Sequence, residues 1–256
     1  MLEQIVLGIV QGIAEWLPVS SEGILVLIKT NFFPIEQGLE KTLREVLFLH
    51  LGTFLAALLY FRKDVWQLIT LKGDKKVFNF LLIATLVSGI LGYGLLKLFV
   101  NLEEDLALSS KIITLVIGLL LLITAGLELK ASGKGNKELK DLTNQDSWLL
   151  GLMQGLSVLP GLSRSGLTVS TLLLRKFKSQ DALKLSFLMS LPIVLAGNIV
   201  LNFGSFSFSL ELFVGLIFSF IFGLLTINLL LKIAKGINFG YFVLFFAILV
   251  IISIFY

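Results

Sequence analysis

Long apolar runs dominate the chain and are separated by short polar segments. A hydrocarbon core of roughly 30 Å requires about 20 apolar residues in helical form. Six runs approach that length, residues 45–62, 77–100, 111–129, 182–204, 208–233 and 239–256. The pattern therefore predicts an all-α integral membrane protein with about six transmembrane helices.

Two further apolar segments, residues 2–28 and 147–174, are interrupted near the middle by proline and serine, in the stretches LPVSSEG and LPGLSRSG. Each segment divides into half-helices that are too short to cross a membrane alone. Backbone that is not helical is tolerated at membrane depth only where it is buried in protein or lines a cavity. We therefore predict two re-entrant helical hairpins.

Charged loops predict how these segments are oriented. Lys and Arg residues concentrate in three loops that are predicted to be cytoplasmic, residues 62–76, 130–146 and 175–181. The acidic stretch 101–105, the uncharged loop near 203–208 and both termini are predicted outside. The second hairpin then enters and leaves on the cytoplasmic side, and the first opens from the outside.

The two broken segments also resemble each other in sequence. LGIVQGIAEWLP aligns with LGLMQGLSVLP, so that Gln11 matches Gln154, and Pro18 matches Pro160 after one residue of slippage. Coincidence between Gly- and Leu-rich segments is the alternative. The shared placement of Gln, Gly and Pro favours an internal repeat.

Such a repeat divides one membrane domain, residues 1–256, into halves of about 1–129 and 147–256, joined by the cytoplasmic loop 130–146. Each half contains one hairpin and three crossings, and this odd number inverts the second half relative to the first. Inverted-topology repeats commonly place a binding site near the membrane midplane, where broken helices meet.

Composition supports the membrane assignment and narrows the chemistry. Hydrophobic residues make up 56% of the chain and charged residues 15%, which is more apolar surface than a soluble fold of this size can bury. The chain has no cysteine and a single histidine, which excludes disulfides, thiolate metal sites and multi-histidine metal sites. The net charge of +4 comes mostly from loop residues, so it indicates topology rather than nucleic-acid binding.

Polar side chains inside the hairpins are the candidates for a functional site. They are Gln11, Glu15, Ser20, Ser21 and Glu22 in the first hairpin, and Ser163, Arg164, Ser165 and Thr168 in the second. Polar residues at membrane depth are costly, so they indicate function. The alternative is that Arg164 only pairs with Glu15 to join the halves, which leaves the surrounding hydroxyls and glycines unexplained.

These groups suit an anionic, phosphorylated ligand. Arg164 can hold phosphate oxygens in a bidentate fork, and glycines such as Gly161 let backbone amides approach. Residues after Pro160 are expected to open a half-helix whose N-terminus favours a negative group. Glu15 can hold a divalent cation or act as a general base, and Gln11, on the same helical face, is the second candidate metal ligand.

The stretches QGIAEWLPVSS and PGLSRSGLT resemble the two signature motifs of the undecaprenyl-diphosphate phosphatase family, the bacitracin-resistance type. The resemblance extends over the whole chain. It implies a cell-membrane enzyme that hydrolyses a polyprenyl diphosphate to the monophosphate, with Mg²⁺ or Ca²⁺, and recycles the lipid carrier for cell-envelope glycan synthesis. It also implies Ser21 as nucleophile, Glu15 as metal ligand or base, and Arg164 as the diphosphate-binding residue beside Ser163, Ser165 and Thr168.

This sequence departs from the family pattern at two positions. Glu22 stands where a small residue is common, and Ile24 stands where a histidine is common. Glu15 and Glu22 are therefore expected to share the work of that histidine, and a metal-bound water is an alternative nucleophile to Ser21. The single histidine, His50, lies in an apolar span and is expected to pack in the bundle rather than to catalyse.

Two other functions fit parts of the pattern. A lipid-phosphate flippase or anion transporter would use the inverted repeat for alternating access, and it would move its ligand without releasing phosphate. A membrane scaffold leaves the clustered polar residues unexplained. The expected partners are the lipid substrate and membrane lipids, and homodimerisation is left open.

Overall fold

The computed structural model describes residues 1–33, 39–106, 110–131, 135–202, 209–234 and 238–255 of the chain. Within these residues the regular structure is helical, apart from one isolated bridge between Lys137 and Phe177. The prediction of an all-α protein is confirmed. The outer loop predicted at 203–208 and part of the inner loop 130–146 lie outside the described residues.

The described residues form a series of α-helices along the chain. They are α1 Leu2–Ala14, α2 Ser21–Phe32, α3 Leu39–Tyr60, α4 Arg62–Ile69, α5 Lys75–Leu106, α6 Ser110–Lys130, α7 Asn144–Leu156, α8 Arg164–Leu174, α9 Ser179–Asn202, α10 Leu210–Ala234 and α11 Gly240–Ile252. Within α3, α5, α6, α9 and α10 the structure has stretches long and apolar enough to cross a membrane, Lys41–Tyr60, Lys75–Leu102, Lys111–Lys130, Ser179–Asn202 and Leu210–Leu229. The chain is therefore a multi-pass membrane protein.

Five of the six predicted crossings coincide with these stretches. The sixth, residues 239–256, corresponds to α11 and the 3₁₀ turn Ser253–Phe255, which together form a shorter apolar helix. Two stretches predicted as loops are helical in part or in full. Residues 62–76 contain α4 and the start of α5, and the acidic stretch 101–105 lies at the end of α5. Charge alone does not end a helix, and neither α4 nor the stretch 101–105 contains a glycine or a proline.

The predicted break in the first interrupted segment is confirmed. Helix α1 ends at Ala14, shortly before Pro18, whose ring lacks an N–H and clashes with a preceding helical turn. Ser20 then takes a left-handed backbone conformation with φ of 59°. Its Oγ accepts the Gly23 N–H at 3.3 Å, which caps the N-terminus of α2.

The second break follows the same plan with different residues. After Pro160, the backbone at Gly161 has φ of +105°, and a Cβ there would lie 2.6 Å from the carbonyl oxygen of Ile117. Only glycine fits both the conformation and the contact. Ser163 Oγ then accepts the Gly166 N–H at 3.1 Å and caps α8.

Each pair of half-helices folds back so that its outer ends meet. Lys29, near the end of α2, lies 3.6 Å from Glu3 in the first turn of α1. In the second pair, Arg175 Nε donates to Asp146 Oδ1 at 2.8 Å. Burial opposes ionisation of Asp146, but hydrogen bonds from Thr143 and Arg175 hold its pKa below the usual value.

Small residues allow the half-helices to pack closely against long helices. A Cβ at Gly8 of α1 would lie 2.2 Å from the carbonyl oxygen of Gly215 in α10. A Cβ at Gly151 of α7 would lie 2.7 Å from the Val87 Cβ in α5. Helix pairs in membranes commonly approach each other through such small residues.

The two turns that break the half-helices are hydrogen-bonded to each other. Ser20 Oγ accepts the Gly161 N–H at 3.1 Å, and Ser165 Oγ donates to the Leu17 carbonyl at 3.1 Å. Thr124 of α6 supports the second turn, since its hydroxyl donates to the Gly161 carbonyl at 3.2 Å. These bonds satisfy buried backbone groups that the broken helices leave without helical partners.

Candidate active site

A cavity of about 640 Å³ lies where the two turns meet. Its polar end is lined by side chains from both turns and from α3, namely Glu15, Ser20, Ser21, Glu22, His50, Ser163, Arg164 and Ser165. Its walls are lined mainly by apolar and small residues of α5 and α9. The structure therefore brings most of the polar residues of the two broken segments together in one cavity.

Glu15 is the centre of the polar end. Its Oε2 accepts the Ser21 hydroxyl at 2.8 Å and the Gln11 Nε2 at 3.0 Å. Its Oε1 pairs with the guanidinium of Arg164. His50 Nε2 lies 3.4 Å from Oε2. Both carboxylate oxygens are thus held by donors from the two broken segments, and α3 places His50 beside Oε2.

Arg164 is held on three sides. One terminal nitrogen donates to Glu15 and the other to the Ser186 carbonyl at 3.1 Å. The guanidinium lies over the Phe187 ring, with 5.6 Å between the guanidinium carbon and the ring centroid. Trp16 packs edge-on against Phe187, with their ring centroids 5.3 Å apart. The packed rings of Phe187 and Trp16 thus restrict the orientation of the guanidinium plane.

The hydroxyls predicted to bind substrate divide into two groups. Ser20, Ser163 and Ser165 line the cavity, although each also takes part in the hydrogen bonds that form or join the turns. Thr168 is fully buried and does not line the cavity. Its hydroxyl bonds the Arg164 carbonyl and Ser186 Oγ, both at 2.7 Å, so it supports Arg164 from behind.

Gln11, a predicted metal ligand, and Glu22, a predicted catalytic residue, occupy different environments. Gln11 is fully buried outside the lining of the cavity, and its Nε2 contacts Glu15 and Thr53 Oγ1. Its Oε1 is buried without a hydrogen-bond partner. Glu22 lines the cavity, and within the described part of the chain its carboxylate has no hydrogen-bond partner.

The donor set fits a cation that is shared with a phosphorylated ligand. The described residues contain no cluster of three or more His, Cys, Asp or Glu side chains that could hold a metal ion alone. Mg²⁺, however, is commonly held by one or two carboxylates together with phosphate oxygens and water. The unpaired Glu22 carboxylate beside Glu15 provides that kind of site.

Two residues that contact Glu15 or Arg164 were not expected there. His50 was expected to pack in the bundle, but its ring lines the cavity and faces Glu15. A lone histidine in an apolar span could have indicated a functional role for His50. Only the tertiary fold shows that His50 of α3 faces the C-terminal end of α1. Phe187 carried no signal, because phenylalanine is ordinary in a membrane helix.

The walls of the cavity lead toward the lipid-facing surface. Small residues, Gly89 and Gly92 of α5 and Gly197 of α9, line the space between these helices. Ile90 and Val200, which also line it, are 78% and 61% exposed and so reach the outer surface of the bundle. The cavity thus combines a charged end with an apolar passage between two membrane helices.

Together the fold and the site define a class of protein. It is a multi-pass membrane protein in which two broken helix pairs bring a carboxylate, a hydroxyl and a guanidinium together in an amphipathic cavity. The family model described as Bacitracin resistance protein BacA matches residues 4–252, and the chain belongs to this family. The resemblance seen in the two motifs is confirmed.

Individual relatives match along nearly the whole chain. A protein of Methanococcoides burtonii named undecaprenyl-diphosphatase is 42% identical over 266 aligned positions, which cover 99% of this chain and 98% of the relative. Proteins of the same name from Methanothrix thermoacetophila and Sulfurisphaera tokodaii are 37% and 34% identical. Those two alignments cover 94% and 93% of this chain, and 92% and 91% of the relatives.

Proposed function

We propose that this protein hydrolyses undecaprenyl diphosphate to undecaprenyl monophosphate and inorganic phosphate, the activity that the names of its relatives give. The observation that carries the proposal is the 2.8 Å hydrogen bond from Ser21 Oγ to Glu15 beside the Arg164 guanidinium. A hydroxyl that donates to a carboxylate is the arrangement of a nucleophile and its base. In the cell membrane, the monophosphate then returns to the carrier pool for cell-envelope glycan synthesis.

Arg164 is the residue assigned to the diphosphate. A guanidinium has five N–H donors, and Glu15 and Ser186 together use two of them. The others serve phosphate oxygens at the N-terminus of α8, where the helix dipole also favours negative charge. Ser20, Ser163 and Ser165 complete the lining around the headgroup.

The chemical step follows from the contact between Ser21 and Glu15. Ser21 Oγ attacks the terminal phosphorus, its proton passes to Glu15 Oε2, and the bond to the bridging oxygen breaks with its electrons staying on the monophosphate. Water then attacks the phosphoserine. Ser21 leaves and takes the proton back from Glu15, and both water protons depart on inorganic phosphate.

We assign the divalent cation, Mg²⁺ or Ca²⁺, chiefly to Glu22. Glu15 already accepts donors on both oxygens, whereas the Glu22 carboxylate faces the cavity without a hydrogen-bond partner among the described residues. When bound, the cation would offset negative charge on the diphosphate. Gln11, which lies behind Glu15, orients that carboxylate.

The apolar part of the cavity suits the prenyl chain. Its walls come from α5 and α9, and their small residues leave a passage from the polar end to the lipid-facing surface. Burial of hydrocarbon there is favourable, while the charged headgroup reaches Arg164. A soluble phosphate ester would leave these walls without a function.

The proposal includes two re-entrant hairpins and an inverted repeat. The contacts Glu3–Lys29 and Asp146–Arg175 support it, because each brings the two outer ends of one hairpin together. The packing of the helices also supports it. Helix α1 packs on α10 and α7 packs on α5, which is the exchange expected if the first half matches the second.

The first prediction tests the reaction and its nucleophile. Purified protein should release phosphate from undecaprenyl diphosphate, and acid quenching with substrate labelled in the terminal phosphate should trap label on the protein. Ser21→Ala should lose both signals, whereas the control Ser253→Ala, in the C-terminal 3₁₀ turn, should keep them. Release by Ser21→Ala at the wild-type rate would identify water as the nucleophile. Lipid transport without phosphate release would support the flippase alternative.

A second prediction concerns the planar fork of Arg164. Arg164→Lys should lower the rate of phosphate release about 100-fold or more, because one ammonium cannot bridge Glu15, Ser186 and phosphate in the same geometry. The matched control is Arg175→Lys, since Arg175 pairs with Asp146 away from the cavity. Equal activity of the two variants would show that Arg164 does not bind the headgroup.

The cation assignment predicts a specific effect of Glu22→Gln. The Mg²⁺ concentration for half-maximal phosphate release should rise by about tenfold or more, and Mn²⁺ binding measured by electron paramagnetic resonance should weaken in parallel. Glu211→Gln serves as control, because Glu211 lies at the surface and pairs with the N-terminus. Unchanged Mn²⁺ binding in Glu22→Gln would remove Glu22 from the cation site.

The topology can be tested by labelling single cysteines, because the chain contains none. Cysteines at Lys140 and Lys178 should both react with a membrane-impermeant reagent from the cytoplasmic side, since they flank the second hairpin. A cysteine at Ser209 should react from the other side. Reaction of positions 140 and 178 from opposite sides would contradict the re-entrant hairpin.

A further inference from the structure

His50 connects α3 to the carboxylate at the centre of the site. Its Nδ1 lies 2.8 Å from the carbonyl oxygen of Val46, one helical turn earlier. Its Nε2 lies 3.4 Å from Glu15 Oε2, and the two side chains are 12% and 8% exposed. A carbonyl oxygen only accepts hydrogen bonds, so the Val46 contact places a proton on Nδ1 and directs Nε2 at Glu15.

The same turn of α3 reaches Glu15 by a second route. Thr53 Oγ1 accepts the Gln11 Nε2 at 3.3 Å and donates to the His50 carbonyl at 3.0 Å. Gln11 in turn donates to Glu15 Oε2 at 3.0 Å. Helix α3 therefore supports the carboxylate directly through His50 and indirectly through Gln11.

These contacts decide how the carboxylate is turned. The terminal torsion of a glutamate has a broad, two-fold profile, so hydrogen bonds must select the orientation of its oxygens. Arg164 holds Oε1, and Oε2 is the oxygen that accepts the Ser21 hydroxyl. A donor on the α3 side of Oε2 keeps that oxygen from swinging toward the guanidinium.

We propose that His50, as an imidazolium with a proton on each ring nitrogen, is a positioning residue. Its Nδ1 donates to the Val46 carbonyl and its Nε2 donates to Glu15 Oε2, which holds this oxygen at the Ser21 hydroxyl. The kinetic consequence of this inference depends on the proposed function, but the contact itself does not. A packing role would require only an apolar ring, whereas both nitrogens of this ring face acceptors.

The kinetic test compares two substitutions that keep a side chain in place. His50→Leu removes the donor and should lower kcat for phosphate release by about 10- to 100-fold, the usual cost of losing a residue that orients a functional group. KM should stay within about threefold of the wild-type value, because the headgroup contacts remain. His50→Gln restores an N–H donor at similar reach and should recover most of the lost kcat.

A spectroscopic test examines the contact without any activity. His50 is the single histidine of the chain, so labelling with ¹⁵N-histidine gives one Nδ1 and one Nε2 signal. Glu15→Gln should shift the Nε2 signal and leave the Nδ1 signal close to its wild-type position. Glu211→Gln, at the surface, should change neither signal.

The two tests separate failure of the inference from failure of the proposed function. An Nε2 signal that does not respond to Glu15→Gln would overturn the contact, whatever the substrate. Wild-type kcat in His50→Leu, or an equal loss in His50→Gln and His50→Leu, would overturn the positioning role. Wild-type protein that releases no phosphate, but whose Nε2 signal responds, would retain the contact and reject the hydrolase.

Discussion

The structure depends on one constraint: two interrupted helix pairs lie inside an apolar bundle, so their free backbone groups must find partners within the protein. Non-helical backbone at membrane depth is tolerated only under that condition. Each turn provides hydrogen-bond partners for backbone groups of the other turn. Ser20 accepts the Gly161 N–H, and Ser165 donates to the Leu17 carbonyl. The need to pair the free backbone groups of the broken helices thus also brings the two polar motifs together.

The ion pair between Glu15 and Arg164 has both a structural role and a chemical role. Burial of two charges is costly unless their remaining hydrogen bonds are satisfied, and here Ser21, Gln11 and Ser186 provide those bonds. The sequence raised the alternative that the pair only joins the halves. The pair does join them, but a structural bridge alone would not need an open cavity beside it.

Much of this arrangement could be predicted from the sequence because it depends on local sequence patterns. Apolar length predicted the long helices, and Pro18 and Pro160 predicted the breaks. The cost of polar groups in a membrane predicted most of the polar end of the cavity. The orientation of single side chains could not be predicted. Thr168 belongs to the second motif yet points behind Arg164, and His50 lies far from both motifs in sequence yet faces Glu15. Both outcomes depend on how α3 and α9 pack against the half-helices.

The division of the site between the two halves explains why its parts are so widely separated along the chain. The nucleophile and base assigned here, Ser21 and Glu15, come from the first turn, while the headgroup cation, Arg164, comes from the second. Neither turn contains a complete site, and the hydroxyls at Ser20 and Ser165 determine how far apart the two contributions lie. Motif residues that bond the backbone, such as Ser20 and Ser165, are therefore as necessary to the geometry as those that react. A motif defines which residues must be present, and only the fold divides them into those that react and those that hold the reacting groups in place.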